Sequence, residues 1–427
     1  MQKKVLLGCV ADDFTGASDA ASFLEKAGMY AILLNEIPEQ IIIPDETDAI
    51  VIALKSRTQE KEQAVKDVLE AIQWLEHHGA TKFYFKYCST FDSTKEGNIG
   101  PVSDAVMEYL EQKYTILCPA LPINGRKVEK GILFVNGVPL AESHMRNHPL
   151  TPMLDSRVKN LMETQSRYKA VELFREQLQM KANDLTEWLS GNEKSEEHFY
   201  VIPDYVCDED GKEIVRLFGD LCFLTGGSGI LEPLAVRMLD GKKKNTGQPL
   251  KAGAEQSYPG VVFAGSCSIA TQGQVADYQE KGHLTYQIRP KELLTEEQTE
   301  EDILQFILQH PEEEVLIYSS DRAENVKEIQ KLGKEKIASL IEETISSVAV
   351  ELMKAGYRRF VVAGGETSGA VTKALGFGAF RIGPSVAPGV PVMIPIAEEN
   401  VRLVLKSGNF GERDFFTKAL RMTKGDE

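Results

Sequence analysis

Val361-Val-Ala-Gly-Gly-Glu-Thr-Ser-Gly-Ala-Val371 reads as the end of an apolar strand running from Phe360 to Ala363, a turn at Gly364 and Gly365, and a helix beginning near Thr367. The unpaired N–H groups of a helix start point into the preceding turn, and the helix dipole favours negative charge there. Working outward, Val261-Val-Phe-Ala-Gly-Ser-Cys-Ser268 and Val404-Leu-Lys-Ser-Gly-Asn-Phe-Gly411 repeat the pattern of apolar run followed by a glycine-bearing turn. One such turn is often only a turn. Three in one C-terminal half point to a nucleotide site assembled from separate loops. It is not a Walker A site, because no Gly-Lys-Ser/Thr follows a glycine run.

The same strand, turn and helix order opens the chain. Val5 to Val10 is a continuous apolar run of the kind buried on both faces of a parallel sheet, and Ala11-Asp-Asp-Phe-Thr-Gly-Ala-Ser-Asp-Ala-Ala-Ser-Phe-Leu24 continues it into a helix of small residues. Asp12 and Asp13 therefore sit at the carboxyl end of the first strand, where open α/β sheets bind ligands. Either can instead cap the helix. Ala49 to Leu54 is a second strand ending in Lys55-Ser-Arg57, followed by a helix from about Glu60 to His78. A further strand delivers Lys86 to the polar run Tyr87-Cys-Ser-Thr-Phe-Asp-Ser-Thr94. One ammonium with several hydroxyls suits a polyol carboxylate, and a structural Ser/Thr turn is the plainer alternative.

At 427 residues the chain exceeds one ordinary core, and a prior of about 150 residues per domain favours two. The polar stretch from Gly241 to Tyr258 has no periodicity and is the linker candidate, giving domains at 1–240 and 259–427 around a linker at 241–258. The expected fold class is α/β: two α/β domains with mostly parallel sheets facing a shared interdomain cleft. Asn136-Gly137 is expected in a hairpin turn. Phe380 to Pro391, rich in Gly and Pro, is expected as an irregular connector ahead of closing strands at 391–395 and 403–405.

Composition narrows the function. With 42% hydrophobic and 26% charged residues the chain is an ordinary globular protein. A net charge of −16 opposes nucleic acid and anionic membrane surfaces. The basic run Lys242 to Lys244 reads as solvated. The six scattered cysteines include no Cys-x-x-Cys pair and no zinc spacing, as expected of reduced thiols. The N-terminus has no signal-peptide character and no apolar run reaches about 18 residues, so a cytoplasmic enzyme is expected. Arg126, His144, Arg146 and His148 are basic groups able to cover an anion, or to remain solvated.

These segments together resemble the four-carbon acid sugar kinase family nearly end to end. The resemblance rests on residues 11–19 (Ala-Asp-Asp-Phe-Thr-Gly-Ala-Ser-Asp), Lys-Ser-Arg at 55–57, the run 86–94, Gly-Asn-Ile-Gly-Pro at 97–101, Gly-Ser-Cys-Ser at 265–268, Gly-Gly-Glu-Thr at 364–367 and Lys-Ser-Gly-Asn-Phe-Gly at 406–411. Residues 119–126 and 142–149 look most like its 3-oxo-tetronate 4-kinase branch. Ala264, and His144 where glycine is expected, depart from the pattern. The resemblance implies a sugar-acid-binding N-terminal domain, a nucleotide-binding C-terminal domain, and phosphoryl transfer between ATP and a small acid sugar, with Mg²⁺. By position it implies substrate binding at Asp12, Arg57, Lys86, Tyr87, Cys88 and Ser89. It implies nucleotide binding at Ser266, Gly364, Gly365, Glu366, Thr367 and Gly408. A homo-oligomer is compatible with it.

From this follows an expected mechanism. Arg57 and Lys86 hold the substrate carboxylate, and Asp12 orients or deprotonates the C4 hydroxyl that attacks the γ-phosphate, with Asp13 more suited to the helix cap. Glu366 is a candidate to approach the metal through water, but the metal ligands themselves are not identified. A D-threonate or D-erythronate kinase of the same family, and a sugar-acid sensor without catalysis, are the alternatives. A haloacid-dehalogenase-type phosphatase requires aspartates two apart, which Asp12-Asp13 does not provide.

Overall fold

The computed structural model describes residues 5–148, 151–192, 198–239, 259–319, 334–408 and 410–424. The linker expected at 241–258, with Lys242 to Lys244, lies outside the described residues, as do Pro149 and Asn409. The chain divides into two compact units, Met1–Thr246 and Gly247–Glu427.

The first unit is built on β1 (Leu7–Ala11), β2 (Ala31–Asn35), β3 (Ala49–Ala53), β4 (Phe83–Lys86) and β5 (Tyr114–Cys118), and a small antiparallel sheet follows them in sequence. That sheet consists of β6 (Arg126–Glu129), β7 (Ile132–Val135) and β8 (Val138–Pro139); β9 (Lys169–Leu173), β10 (Phe199–Pro203) and β11 (Phe223–Gly226) then complete the main one. The main sheet runs β2-β3-β1-β4-β11-β5-β10-β9, and every pairing in it is parallel. Its central strands are apolar without alternation because helices cover both faces, and β1, β3, β4 and β10 are buried throughout. The helix Phe14–Lys26 buries Gly16, Ala17, Ser18, Asp19, Ala20 and Ala21, small residues that let it lie close to the sheet. Asn136 and Gly137, with φ of 51° and 82°, form the turn between β7 and β8.

The second unit contains β12 (Val261–Ala264), β13 (Leu284–Gln287), β14 (Val315–Tyr318), β15 (Arg359–Ala363), β16 (Ala379–Ala387), β17 (Val390–Pro395) and β18 (Arg402–Lys406). Their order is β13-β14-β12-β15-β18-β17-β16, parallel as far as β18 and antiparallel beyond it. The irregular connector expected over 380–391 is instead mostly strand. Register shifts between Ile382 and Ser385, and between Ser385 and Ala387, absorb Pro384, while Gly389 at φ 79° turns the chain into β17. The helix expected near Thr367 begins at Gly365.

Close backbone approach fixes the glycines after β11. A Cβ on Gly226 would lie 2.3 Å from the Cys118 carbonyl oxygen and 2.6 Å from the Tyr84 hydroxyl, and one on Gly229 would lie 2.3 Å from the Ala120 carbonyl. Gly226→Ala should therefore destabilise the first unit by about 1–3 kcal/mol. Urea titration should show a lower midpoint at unchanged slope, whereas a wild-type midpoint would mean that this backbone contact is not tight.

Candidate active site

In the first unit the chain leaves β1 toward β2 and β3 on one side and leaves β4 toward β5 on the other, so the strand order reverses between β1 and β4. Such a reversal opens a crevice at the carboxyl ends of the two strands. Asp12 and Asp13 follow β1, Arg57 follows β3, and Lys86 closes β4. Main-chain bonds lock these ends: Asp12 N–H donates to Lys86 O at 3.0 Å, Leu54 N–H to Ala11 O at 2.9 Å, and Arg57 N–H to Asp12 O at 3.3 Å.

Arg57 grips Asp12 with parallel bonds, Nε to Oδ2 and Nη2 to Oδ1, both 2.8 Å, and its Nη1 lies 3.0 Å from Asp13 Oδ2. The other oxygen of Asp13 accepts from Gly16 N–H at 2.6 Å, so Asp13 is the helix cap. Lys86 is buried; its Nζ donates to Tyr87 O at 3.0 Å and lies 3.7 Å from Asp19 Oδ2, which also accepts from Ser228 Oγ. Gly16 marks how near the groups are: a Cβ there would lie 3.3 Å from Lys86 Nζ and 3.7 Å from Asp12 Oδ1.

The chain after Lys86 is tightly turned. Cys88 Sγ and Thr90 Oγ1 are 3.0 Å apart, Thr90 Oγ1 donates to Asp92 Oδ1 at 2.8 Å, and Phe91 N–H donates to Cys88 O at 3.0 Å. Phe91 at φ 67° and Asp92 at φ 34° sit in the left-handed region, which costs of order 1–3 kcal/mol at each non-glycine position. Asn98 Nδ2 donates to Ser56 O at 2.7 Å and Gln59 O at 2.9 Å, holding the segment that carries Arg57.

In the second unit the candidate loops follow β12, β15 and β18, which are neighbours in the sheet. Gly265 N–H and Ser266 N–H both donate to Ala363 O, at 3.0 and 3.2 Å, and Gly364 N–H donates to Lys406 O at 2.9 Å. Gly364 has φ 135°, and a Cβ there would lie 3.3 Å from Ser266 N; one on Gly265 would lie 2.2 Å from Thr367 Oγ1, and one on Gly408 2.3 Å from Ser266 Oγ. Ser268 caps the helix Ile269–Glu280, accepting from Thr271 N–H at 3.2 Å, and donates to Gly408 O at 2.6 Å. Thr271 Oγ1 and Lys406 Nζ donate to the same carbonyl, each at 2.9 Å.

Comparison with known proteins matches these halves to two descriptions: residues 7–234 to a sugar-binding N-terminal domain, and residues 261–416 to a nucleotide-binding C-terminal domain. A 3-oxo-tetronate kinase of Cupriavidus necator is 43% identical over 98% of both chains. The chain belongs to the four-carbon acid sugar kinase family. Another relative, a 3-oxo-tetronate kinase of Haemophilus influenzae, is 40% identical over 98% of this chain and 100% of its own. A solved structure from Salmonella typhimurium LT2, described provisionally as a tRNA synthase, is 38% identical with a TM-score of 0.88, covering 99% of this chain and 100% of that one. A Haemophilus influenzae structure gives 38% and 0.81, over 97% and 100%.

In this member of the acid sugar kinase family, Asp12, Arg57 and Lys86 come together at one crevice. Tyr87 turns its ring into the core, with its hydroxyl 3.1 Å from Thr225 Oγ1, so it presents only main chain there. Cys88 and Ser89 are half-buried in the following turn, and burial holds the Cys88 thiol up at about 12, in its neutral form. Ser266, Gly364, Thr367 and Gly408 converge in the second unit, while Gly365 and Glu366 are exposed at the start of their helix. Arg126 and Arg146 are occupied locally, donating to Asn124 O and Ala141 O, and His148 Nδ1 bonds Thr151. In the sequence, Asp19 and Ser268 figure only as members of the motifs at 11–19 and 265–268, and Ser228 and Thr271 carry no expected role. A carboxylate on the small, sheet-facing side of the helix Phe14–Lys26 was the available signal for Asp19.

Burial raises the pKa of Asp12, opposed by the charge and hydrogen bonds of Arg57; burial likewise raises that of Asp19, opposed by Lys86. A carboxyl raised on folding binds protons more readily in the folded chain. Its stabilisation is full below the unfolded value of about 3.9 and is lost as pH rises through the folded value. Asp19→Asn does not ionise, so its melting temperature relative to wild type should climb as pH increases from about 4 to 8. A difference that stays flat or falls would reject the raised state of Asp19.

Proposed function

We propose that this chain is an ATP-dependent kinase that transfers the γ-phosphoryl group of ATP to the C4 hydroxyl of a 3-oxo-tetronate, yielding ADP and 3-oxo-tetronate 4-phosphate. The observation that carries the reading is its near full-length similarity, at about 40% identity, to several 3-oxo-tetronate kinases. Residues 1–240 hold the acid sugar, residues 259–427 hold the nucleotide, and 241–258 join them. A requirement for ATP assigns the reaction to the cytoplasm.

The geometry supports a division of labour. A carboxylate offers about four lone-pair sites, and Arg57 uses one on each oxygen of Asp12. The remainder can accept the C4 hydroxyl proton and aim its oxygen at the phosphorus. Arg57 opposes the effect of burial on Asp12 and fixes it in rotation, and its uncommitted N–H groups, with the Lys86 ammonium, meet the substrate carboxylate. Tyr87, Cys88 and Ser89 line the turn with main-chain and hydroxyl groups for the substrate oxygens. The hydroxyls of Ser266 and Thr367 and the main-chain N–H groups of Gly365 and Gly408 hold the polyphosphate, on a frame fixed by the Ser266 and Gly364 N–H bonds to Ala363 and Lys406.

Among the described residues, no group of three or more His, Cys, Asp or Glu side chains converges on a metal. Mg²⁺ ordinarily binds through nucleotide phosphates, water and one or two carboxylates, so an ion carried by ATP fits. Glu366, exposed in the first turn of its helix, is the carboxylate at hand. When bound, Mg²⁺ neutralises charge on the transferring group.

An ADP-release assay across 3-oxo-tetronates, threonates and erythronates of both hands tests class and branch together. Turnover is expected with a 3-oxo-tetronate. Turnover confined to D-threonate or D-erythronate would move the chain to another branch, and none with any acid would favour a sensor. Asp12→Asn should lower kcat by about 10²–10⁴ while ADP affinity is kept. Wild-type turnover in that variant would remove Asp12 from the chemistry.

A further inference from the structure

Lys406 ends β18 with 1% of its surface exposed. Its ammonium donates to Gly408 O at 2.9 Å, Thr271 Oγ1 at 3.0 Å and Ser407 O at 3.2 Å, and lies 5.6 Å from the centre of the Phe415 ring. These partners are dipoles and a ring face. Among the described residues, no titratable group faces it from its own strand, from the helix Ile269–Glu280 or from the helix Phe415–Lys424, and burial alone lowers its pKa, to about 8.

Burying a full charge without an opposite one is unfavourable, and a neutral amide would hold a carbonyl at less cost. The position of the charge supplies a reason for it. Gly408 O collects donors from Ser268, Thr271 and Lys406, and the Gly408 Cα packs against the Ser266 and Ser268 hydroxyls. Lys406 thus sits directly behind the loops that follow β12 and β18, where a polyanion is expected.

We infer that Lys406 is the charged anchor of the nucleotide cradle: a positioning residue that fixes Gly408 through its carbonyl, and whose positive charge is balanced by the polyphosphate of the bound nucleotide. The inference rests on the nucleotide reading of the second unit. It sets an order that a purely structural lysine does not. Losing the charge should matter more as phosphates are added, and affinity should weaken as the ammonium deprotonates.

The test is calorimetric titration of the full chain with AMP, ADP and ATP, comparing wild type with Lys406→Gln, which keeps a donor but drops the charge, and Lys406→Met. Both variants should bind ATP about tenfold or more weakly, with a smaller loss for ADP and the smallest for AMP. In wild type the Kd for ADP should rise as pH passes about 8, a rise missing from Lys406→Gln. Equal losses for AMP and ATP, or unchanged ATP affinity in Lys406→Gln, would overturn the inference while leaving the nucleotide site intact. Wild type that binds no nucleotide overturns both readings. If neither variant folds, a flat wild-type Kd between about pH 7 and 9.5 is enough to overturn it.

Discussion

The paired bonds between Arg57 and Asp12 are the constraint on which the first unit's chemistry depends. Asp12 is buried at the crevice of a parallel sheet, where desolvation pushes its carboxyl toward the neutral form. A guanidinium matched to both oxygens opposes that push and removes rotational freedom from the carboxylate. Because Arg57 lies just past β3 and Asp12 just past β1, the pair also ties two neighbouring strand ends together. Breaking a buried pair of this kind from one side typically costs about 3–5 kcal/mol, so Arg57 is structural and electrostatic before any substrate arrives.

The two units place different chemistry at their strand ends. The first concentrates ionisable side chains, with Asp12, Asp13 and Asp19 set against Arg57 and Lys86 at one crevice. The second gathers glycine backbone, hydroxyls and two helix starts after β12, β15 and β18, with one buried ammonium behind them. A polyphosphate presents many equivalent oxygens, and a curved row of N–H dipoles meets them without requiring a separate counter-charge for each. The glycines at 364 and 408 are where these loops pass too close to Ser266 to leave room for a Cβ.

What was legible in the sequence was local. The strand, Asp-Asp and small-residue helix at 5–24, the Asn136-Gly137 turn and the three glycine loops announce themselves within a dozen residues, because the pattern and the structure it makes share one short segment. The β16 strand was not legible: its Gly and Pro residues read as breakers, and only pairing with β17 shows that bulges absorb them. Asp19, quoted only as the end of the 11–19 motif, has no legible role for a related reason. Its partners Lys86 and Ser228 lie far along the chain, and nothing near position 19 announces that β4 and β11 will meet beside it. Arg57 was found, but its first partner was not foreseen. A fork suited to a substrate carboxylate is equally suited to an aspartate, and the sheet order brings Asp12 to it.

That same grip separates two chemistries that a strand followed by Asp-Asp can carry. A carboxylate that attacks phosphorus must present one oxygen bare to the incoming phosphoryl group and tolerate a covalent bond there. In Asp12 each oxygen already accepts from the guanidinium at 2.8 Å, so a phosphoryl group would have to be seated on an oxygen that Arg57 already flanks. Accepting a proton from a hydroxyl asks for far less room, since it needs only one of the remaining lone pairs. The arrangement therefore suits a group that aims and activates an alcohol, with the phosphoryl group supplied from elsewhere, better than one that becomes phosphorylated itself. It is the partner of Asp12, more than Asp12, that carries this distinction.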